Sequence, residues 1–360
     1  MKRQLLGVAA FMLALSAHAQ DNPLWMRYCA ISPDGTSIAF TYKGDIYTVP
    51  VNGGKAAQIT TNAAHDTHPV WSPDGKQIAF ASDRMGSMDI FVVDREGGIP
   101  KRLTTHSGNE TPVAFKDADH ILFLANVMPS AEDAQFPSGQ FQQVYEVSTT
   151  GDRPVMFSSM PMEDISINKT GNALLYHDKK GYEDPWRKHH TSSITRDIWL
   201  CSLDGKRSYR KLTSFNGEDR TPVWASDGKS FYYLSEEKGS FNVFKRALDG
   251  TSSTQLTHHT KHPVRFLTAA DNGTLCYGYD GEIYTMKEGT EPRKVQISIL
   301  TDKNDKDLIR QIRRNGATEI ALSPDAKEVA FILRGDVYVT SVEYKTCLLY
   351  TSPSPRDMRR

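Results

Sequence analysis

Short apolar runs separated by polar turns recur along the chain, and they are spaced for strands rather than helices. The clearest unit is residues 70–104, in which a first strand ends at Trp71 and is followed by the turn Ser-Pro-Asp-Gly. The apolar segment 78–80, the segment 89–93 and a Gly-Gly turn come next. Proline fixes φ and glycine accepts a positive φ, so this turn joins two strands tightly. The unit predicts a four-stranded antiparallel sheet with strands a, b, c and d.

Copies of this unit fill most of the chain. The position of the turn aspartate recurs at residues 34, 74, 118, 170, 227, 272 and 325, although the turns at 118 and 170 are degenerate. A period of about 40 residues with four short strands is typical of a propeller blade. One such sheet cannot bury both faces alone, so the blades must pack in a ring. The sequence predicts an all-β fold, a six-bladed β-propeller of four-stranded blades over residues 25–297.

A charged, glycine-poor segment interrupts the repeat at residues 298–315, and we interpret it as a linker. Residues 316–345 then predict the first strands of a second, truncated propeller. The alternative is a single seven-bladed ring with an unfinished last blade, and the sequence leaves it open. Residues 346–360 depart from the repeat and resemble an adapter-derived read-through sequence, so we expect this tail to be non-native.

The first 19 residues have the order of a secretory signal peptide: two basic residues, an apolar core and a small-x-small site ending at Ala19. The apolar core is too short to span a bilayer, for which about 20 residues are needed. We therefore expect cleavage after Ala19, a periplasmic or secreted protein, and no membrane span. The chain has 43 basic and 43 acidic residues, and the leader removes two of the basic ones. A near-neutral chain has no field to attract nucleic acid, so we expect no nucleic-acid partner.

Cysteine and histidine positions do not indicate a metal or disulfide scaffold. Cys29, Cys201, Cys276 and Cys347 are scattered without paired spacing, and we expect the first three to be small buried residues on strands. Adjacent histidines usually point apart, and no Cys, Asp or Glu lies at a recognised ligand spacing from them. Signatures of hydrolases, metallopeptidases and nucleotide-binding enzymes are missing as well. We predict no metal, no cofactor and no catalytic residues in this chain.

The b–c loops and d–a connections share one face of a blade, and that face carries the longest insertions, 125–147 and 178–199. Binding residues usually sit on loops of a rigid scaffold. Trp186 with Arg187 suits recognition of a carboxylate or a peptide backbone, but Trp186 could also simply dock the loop on its neighbour. The d–a residues could line a funnel for an extended peptide or could simply be solvated. The candidate substrate-binding residues are Trp186, Arg187, Lys188, His189, His190, Asp66, His68, Glu218 and Arg220.

Three segments carry a family likeness: WSPDGKQIAFASDRMGSMDIFVVDREGG, GYEDPWRKHHTSSITRDIW and GEDRTPVWASDGKSFYYLSEE. Together they resemble the N-terminal propeller region of bacterial tricorn-type serine proteases, over roughly residues 20–345. The resemblance implies a six-bladed ring, then a seven-bladed ring and a serine-peptidase core outside this chain. It also implies propellers that channel peptides or unfolded polypeptide, and a full-length protein that could be a homo-oligomer. Two rival interpretations remain, a TolB-like binding propeller and the propeller lid of a prolyl-oligopeptidase-like hydrolase.

Overall fold

The computed structural model describes residues 23–126, 141–184, 186–187, 191–300, 315–333, 336–343 and 347–350. The predicted signal peptide and most of the linker lie outside them. Six consecutive antiparallel four-stranded sheets run from Arg27 to Lys294, each with its strands in chain order. The all-β prediction is therefore confirmed for the described residues.

The first three sheets contain the following strands. The first sheet has β1 (Arg27–Ile31), β2 (Ser37–Tyr42), β3 (Asp45–Pro50) and β5 (Ala57–Gln58). The second has β6 (Asp66–Trp71), β7 (Gln77–Ser82), β8 (Asp89–Asp94) and β9 (Lys101–Arg102). The third has β10 (Glu110–Phe115), β11 (His120–Ala125), β12 (Gln143–Ser148) and β13 (Val155–Ser158).

The next three sheets repeat the same order. The fourth has β14 (Met162–Ile167), β15 (Ala173–Asp178), β16 (Ile198–Ser202) and β17 (Tyr209–Lys211). The fifth has β18 (Asp219–Trp224), β19 (Ser230–Ser235), β20 (Asn242–Ala247) and β21 (Ser253–Gln255). The sixth has β22 (Arg265–Ala269), β23 (Leu275–Tyr279), β24 (Glu282–Met286) and β25 (Arg293–Lys294).

The repeated Ser-Pro-Asp-Gly turn is held by its own side chains. In the second sheet, Asp74 accepts a hydrogen bond from the Ser72 hydroxyl at 2.7 Å and another from the Lys76 backbone N–H at 3.0 Å. Gly75 has a φ of 68°, which glycine adopts without strain. The hydrogen bond from Ser72, followed by that from Lys76, lowers the pKa of Asp74. The turn aspartate therefore serves the scaffold and explains why the motif recurs.

Neighbouring sheets are joined by apolar cores and by an indole hydrogen bond. Residues 78–80 of the second strand are fully buried, as expected for strands covered on both faces. The indole N–H of Trp71 donates to the carbonyl oxygen of Ala30 in the preceding sheet at 2.9 Å. Trp224 makes the same bond to Ser166 at 2.9 Å. The aromatic residue that ends strand a thus fixes the spacing between blades as well as filling the core.

The first and sixth sheets are also in contact. The first strand of each sheet touches the first strand of the next, and β22 of the sixth sheet touches β1. The two-residue strand β26 (Ile297–Ser298) pairs in parallel with β4 (Gly54–Lys55) beside the first sheet. The segment that follows the sixth sheet therefore pairs with a segment of the first repeat unit.

A seventh four-stranded sheet follows, with β27 (Ala317–Leu322), β28 (Glu328–Leu333), β29 (Asp336–Ser341) and β30 (Cys347–Tyr350). Its first strand is much more exposed than those of the other sheets. Ile320 and Leu322 are 73% and 64% exposed, whereas the equivalent residues Cys29 and Ile31 are 2% and 5% exposed. β30 pairs with β29 and lies within residues 346–360, the tail that we expect to be non-native. The non-native origin of this tail stays a prediction.

Cys29, Cys201 and Cys276 are buried free cysteines on strands, as predicted. No helix in the part of the chain that the structure describes is long and apolar enough to cross a membrane.

Candidate functional site

The first strands of the six sheets share a distortion near their beginnings. In each sheet the register between the first and second strands shifts by a β-bulge. In five of the sheets a non-glycine residue with positive φ occupies the bulge, a conformation that costs energy and re-aims a side chain. These residues are Tyr28, His68, Asp164, Thr221 and Phe266.

The bulge residues of different sheets touch one another. The Tyr28 ring lies 3.7 Å from that of His68 and 4.8 Å from that of Phe266, measured between centroids. The Thr221 hydroxyl donates to Asp164 at 2.6 Å. The charge of Asp164 also acts on His68, two sheets away. The contacts join neighbouring sheets, and the charge of Asp164 acts between sheets that are not neighbours. These side chains therefore lie near the axis around which the sheets are arranged.

The fourth-sheet insertion brings Trp186 to the same place. The guanidinium carbon of Arg27, from the first sheet, lies 4.5 Å from the Trp186 ring centroid, and that of Arg265, from the sixth, lies 5.0 Å away. Phe266 meets the ring edge-on at 6.1 Å. Arg265 also donates to the carbonyl oxygens of Trp186 and Arg187 at 2.9 and 3.2 Å. The insertion therefore extends from the fourth sheet across the axis.

We call Arg27, Tyr28, His68, Trp186, Arg265 and Phe266 the mouth cluster.

Arg187 anchors the insertion on the fifth sheet. Its guanidinium donates to Glu236 at 2.5 Å and to Glu218 at 2.7 Å, and all three side chains are buried. The Glu236 carboxylate also accepts the backbone N–H groups of Ser192 and Glu218 at 3.0 and 2.8 Å. Burial opposes the charge of Arg187, but the hydrogen bonds and charges of the two glutamates outweigh it and raise its pKa. Two carboxylates and one guanidinium thus hold the base of the insertion.

A second ionic group lies beside this anchor. Arg196 contacts Glu218 at 3.0 Å and Glu163 at 3.3 Å, while His177 and Lys179 contact Glu163 at 3.2 and 2.6 Å. Burial alone would raise the pKa of Glu163, but these partners hold it well below its ordinary value. Glu163, on the first strand of the fourth sheet, therefore contacts residues at both ends of the long b–c loop of that sheet.

Burial and like charges perturb the cations near the axis. Burial, together with the charges of Arg220 and Arg27, lowers the pKa of Arg265 to about 10. Burial also lowers the pKa of Arg220, whose guanidinium lies 4.2 Å from the Phe241 ring centroid. Burial, followed by the charge of His65, lowers the pKa of His68 to about 4. At neutral pH the mouth cluster therefore combines two arginine cations with a neutral histidine and aromatic rings.

The predicted site residues do not all lie together. Trp186 and His68 belong to the mouth cluster, while Arg187 and Glu218 belong to the buried anchor, as does Arg220 through its 3.6 Å contact with Glu218. Asp66 belongs to neither, since its fully buried carboxylate forms an ion pair with Arg84 at 2.9 Å. The remaining three, Lys188, His189 and His190, lie outside the described residues. A role of these nine residues in binding stays a prediction.

Four members of the mouth cluster were not predicted: Arg27, Tyr28, Arg265 and Phe266. A signal for two of them was present in the sequence. Tyr28 and Phe266 lie six residues before the turn-aspartate position, as does His68. Aligning the repeats at that offset would have selected all three bulge positions.

Within the described ranges, no group of three or more His, Cys, Asp and Glu side chains could hold a metal ion.

The sheets with their successive contacts define a β-propeller. Residues 23–292 match the family model described as the tricorn protease N-terminal beta propeller domain. The chain belongs to this family.

Tricorn protease homolog 1 of Streptomyces coelicolor is 25% identical over 279 residues, which are 77% of this chain and 25% of that protein. Tricorn protease of Thermoplasma acidophilum is 25% identical over 332 residues, 89% of this chain and 29% of that protein. A crystal structure of tricorn protease superposes with a TM-score of 0.65 and 21% identity, covering 92% of this chain and 32% of that one. The chain thus spans about a third or less of these proteins.

Proposed function

We propose that this chain is the N-terminal, peptide-channelling propeller of an exported tricorn-like serine peptidase. In this proposal the six sheets form one closed ring, residues 298–315 link it to a second ring that begins with the seventh sheet, and residues 1–19 direct export. The catalytic residues belong to a part of the parent protein beyond this chain. Membership of the tricorn propeller family supports the proposal, as does the contact of β22 with β1.

The observation that carries the channelling role is the position of Trp186 on the axis. Arg27 and Arg265 stack against its ring, and Arg265 donates to backbone carbonyl oxygens of the insertion. An extended peptide offers the same carbonyl acceptors and, where it has aromatic side chains, the same ring faces. A peptide could therefore replace the insertion on these arginines. The insertion would act as a gate that a peptide displaces, while the Arg187 anchor keeps its base in place.

Peptide binding by variants of the insertion tests this gate. A fluorescein-labelled, unstructured casein-derived peptide is titrated with the full chain, and its anisotropy is recorded. Trp186→Ala should increase the affinity several-fold, because the competing ring is removed while both arginines remain. Tyr182→Ala is the matched control, since Tyr182 is an exposed aromatic residue of the same insertion. Equal binding by the wild type and both variants, or no binding by any of them, would contradict the gate.

The place of this chain in a larger peptidase has its own test. The intact gene should continue with further propeller blades and a serine-peptidase domain, and the purified chain alone should not cleave casein. A native stop codon shortly after residue 345 would contradict the proposal. Export predicts that the protein recovered from the periplasm begins at Gln20. Recovery with residues 1–19 still attached would contradict the predicted cleavage.

A further inference from the structure

Two buried thiols from opposite ends of the repeat meet where the first sheet touches the sixth. Cys29 lies on β1 and Cys276 on β23, and both belong to the apolar core between these sheets. β1 and β23 are in direct contact, and the Cys29 side chain is close enough to that of Cys276 to interact with it. The Cys29 thiol also contacts the carbonyl oxygen of Phe266 at 3.5 Å. Both sulfur atoms therefore lie at one junction, although 246 residues separate them in the sequence.

Backbone pairing fixes this junction on both sides of the thiols. Thr268 on β22 is the cross-strand partner of Cys276. Its hydroxyl accepts a hydrogen bond from the backbone N–H of Ile31, two residues after Cys29, at 3.1 Å. The Met26 N–H, three residues before Cys29, donates to the carbonyl oxygen of Gly281 at 3.1 Å. β1 is thus held against the sixth sheet on either side of Cys29.

We propose that Cys29 and Cys276 form a disulfide under oxidising conditions and so join the first sheet covalently to the sixth. The oxidant is a disulfide, such as that of oxidised glutathione. One protein thiolate attacks it and gives a mixed disulfide; the second protein thiolate then attacks the protein sulfur, and two thiols of the former oxidant leave. Two protein thiols are oxidised and one external disulfide is reduced to two thiols. This inference does not depend on the proposed peptidase role.

The surroundings of the pair determine when the bond forms. Burial, together with the interaction with Cys29, raises the pKa of the Cys276 thiol well above its ordinary value. Thiolates, not thiols, exchange with disulfides, so the closed junction reacts slowly. The bond forms during folding, or when the junction between the two sheets opens. Once formed, it closes a very long loop, the case in which chain-entropy models expect the greatest stabilisation.

Two variants with two thiols each test the pairing. Cys201→Ser with Cys347→Ser keeps only the proposed pair, and Cys29→Ser with Cys276→Ser keeps only the other two thiols. Each full-length variant is refolded from urea in a mixture of reduced and oxidised glutathione, trapped with N-ethylmaleimide and mapped by mass spectrometry. The pair-only variant should lose both reactive thiols, yield one peptide that joins Cys29 to Cys276, and run faster as a monomer on a non-reducing gel. Its matched counterpart should yield no intramolecular cross-link.

Stability provides a readout that requires no substitution at either cysteine of the pair. The oxidised pair-only variant should unfold at a higher urea concentration than the same protein after reduction, because the cross-link restricts its unfolded chain. Urea added during oxidation should accelerate bond formation severalfold by opening the junction. Both thiols remaining open to alkylation after oxidative refolding would overturn the proposal. Cross-links that form only between chains would overturn it as well.

Discussion

Replacing one buried glutamate should change how stability depends on pH. Glu110 begins β10 and is 1% exposed, and its carboxylate accepts a hydrogen bond from the Thr104 hydroxyl. Burial raises its pKa from 4.5 to about 7; the Thr104 hydrogen bond and the Arg102 charge act in the opposite direction, while the Asp89 charge adds to the rise. The folded protein therefore holds this proton more tightly than the unfolded chain does. Stability falls as pH rises from about 4.5 to about 7 and then levels off.

The size of the effect follows from the two pKa values. With 4.5 for the unfolded chain and about 7 for the folded protein, ionisation of Glu110 removes about 2–3 kcal/mol of unfolding free energy between about pH 5 and about pH 8. Glu110→Gln cannot ionise, and its amide oxygen can still accept the Thr104 hydrogen bond. The variant should gain about that amount relative to wild type between the two pH values.

Urea unfolding followed by tryptophan fluorescence, at about pH 5 and about pH 8, measures this difference. All five tryptophans precede the seventh sheet in the sequence, so they report on the six-sheet unit. Other titrating groups are shared by both proteins and cancel in the comparison. Glu96→Gln is the control, because Glu96 is exposed and should behave like the wild type. A Glu110→Gln curve parallel to that of the wild type would refute the argument that burial raises this pKa.

Three further substitutions test other parts of the same physical picture. Burial raises the pKa of Asp219 from 3.8 to about 6, so the unfolding free energy of Asp219→Asn should increase by about 2–3 kcal/mol relative to wild type between about pH 4 and about pH 7. Urea titrations that show no such increase would contradict this expectation. Arg187→Ala leaves the buried Glu236 without the cation that it binds and removes one of the cations at Glu218, so it should cost about 3–5 kcal/mol by urea denaturation, with Arg187→Lys costing less; equal losses would argue against the two-carboxylate anchor. Trp71→Phe removes the indole bond to Ala30 and should cost about 1–3 kcal/mol, and an unchanged urea midpoint would show that the bond contributes little.

The repeat could be predicted because the interactions that determine it are between residues close together in the sequence. Proline, aspartate and glycine set the turn, and Asp74 makes its hydrogen bonds within two residues of itself. Apolar segments such as 78–80 have the burial that the pattern indicates. These features need no information from distant parts of the chain. The all-β fold and its repeated antiparallel sheets could therefore be predicted from the sequence.

The candidate site could be predicted only in part, because its contacts are between distant residues. Trp186 was selected as an unusual aromatic residue of an insertion, but its partners Arg27 and Arg265 lie 159 and 79 residues away. The sequence pattern also favours a substrate-binding role for Arg187, whereas in the structure its guanidinium is bound by Glu218 and Glu236. The sequence pattern around a buried arginine that binds two carboxylates does not differ from that around an exposed arginine. Only the three-dimensional arrangement distinguishes them.

The contact between β1 and β22 bears on the choice between a six-bladed and a seven-bladed ring. A seventh blade in the same ring would have to lie between these strands, and that would break the Ile31 to Thr268 hydrogen bond and separate Cys29 from Cys276. The seventh sheet instead leaves Ile320 and Leu322 largely exposed, at positions that are buried in the first sheet. Exposed apolar residues on the first strand of a blade call for another blade beside it. Both observations favour the six-sheet ring of our proposal over a seven-bladed one, and the second ring stays a prediction.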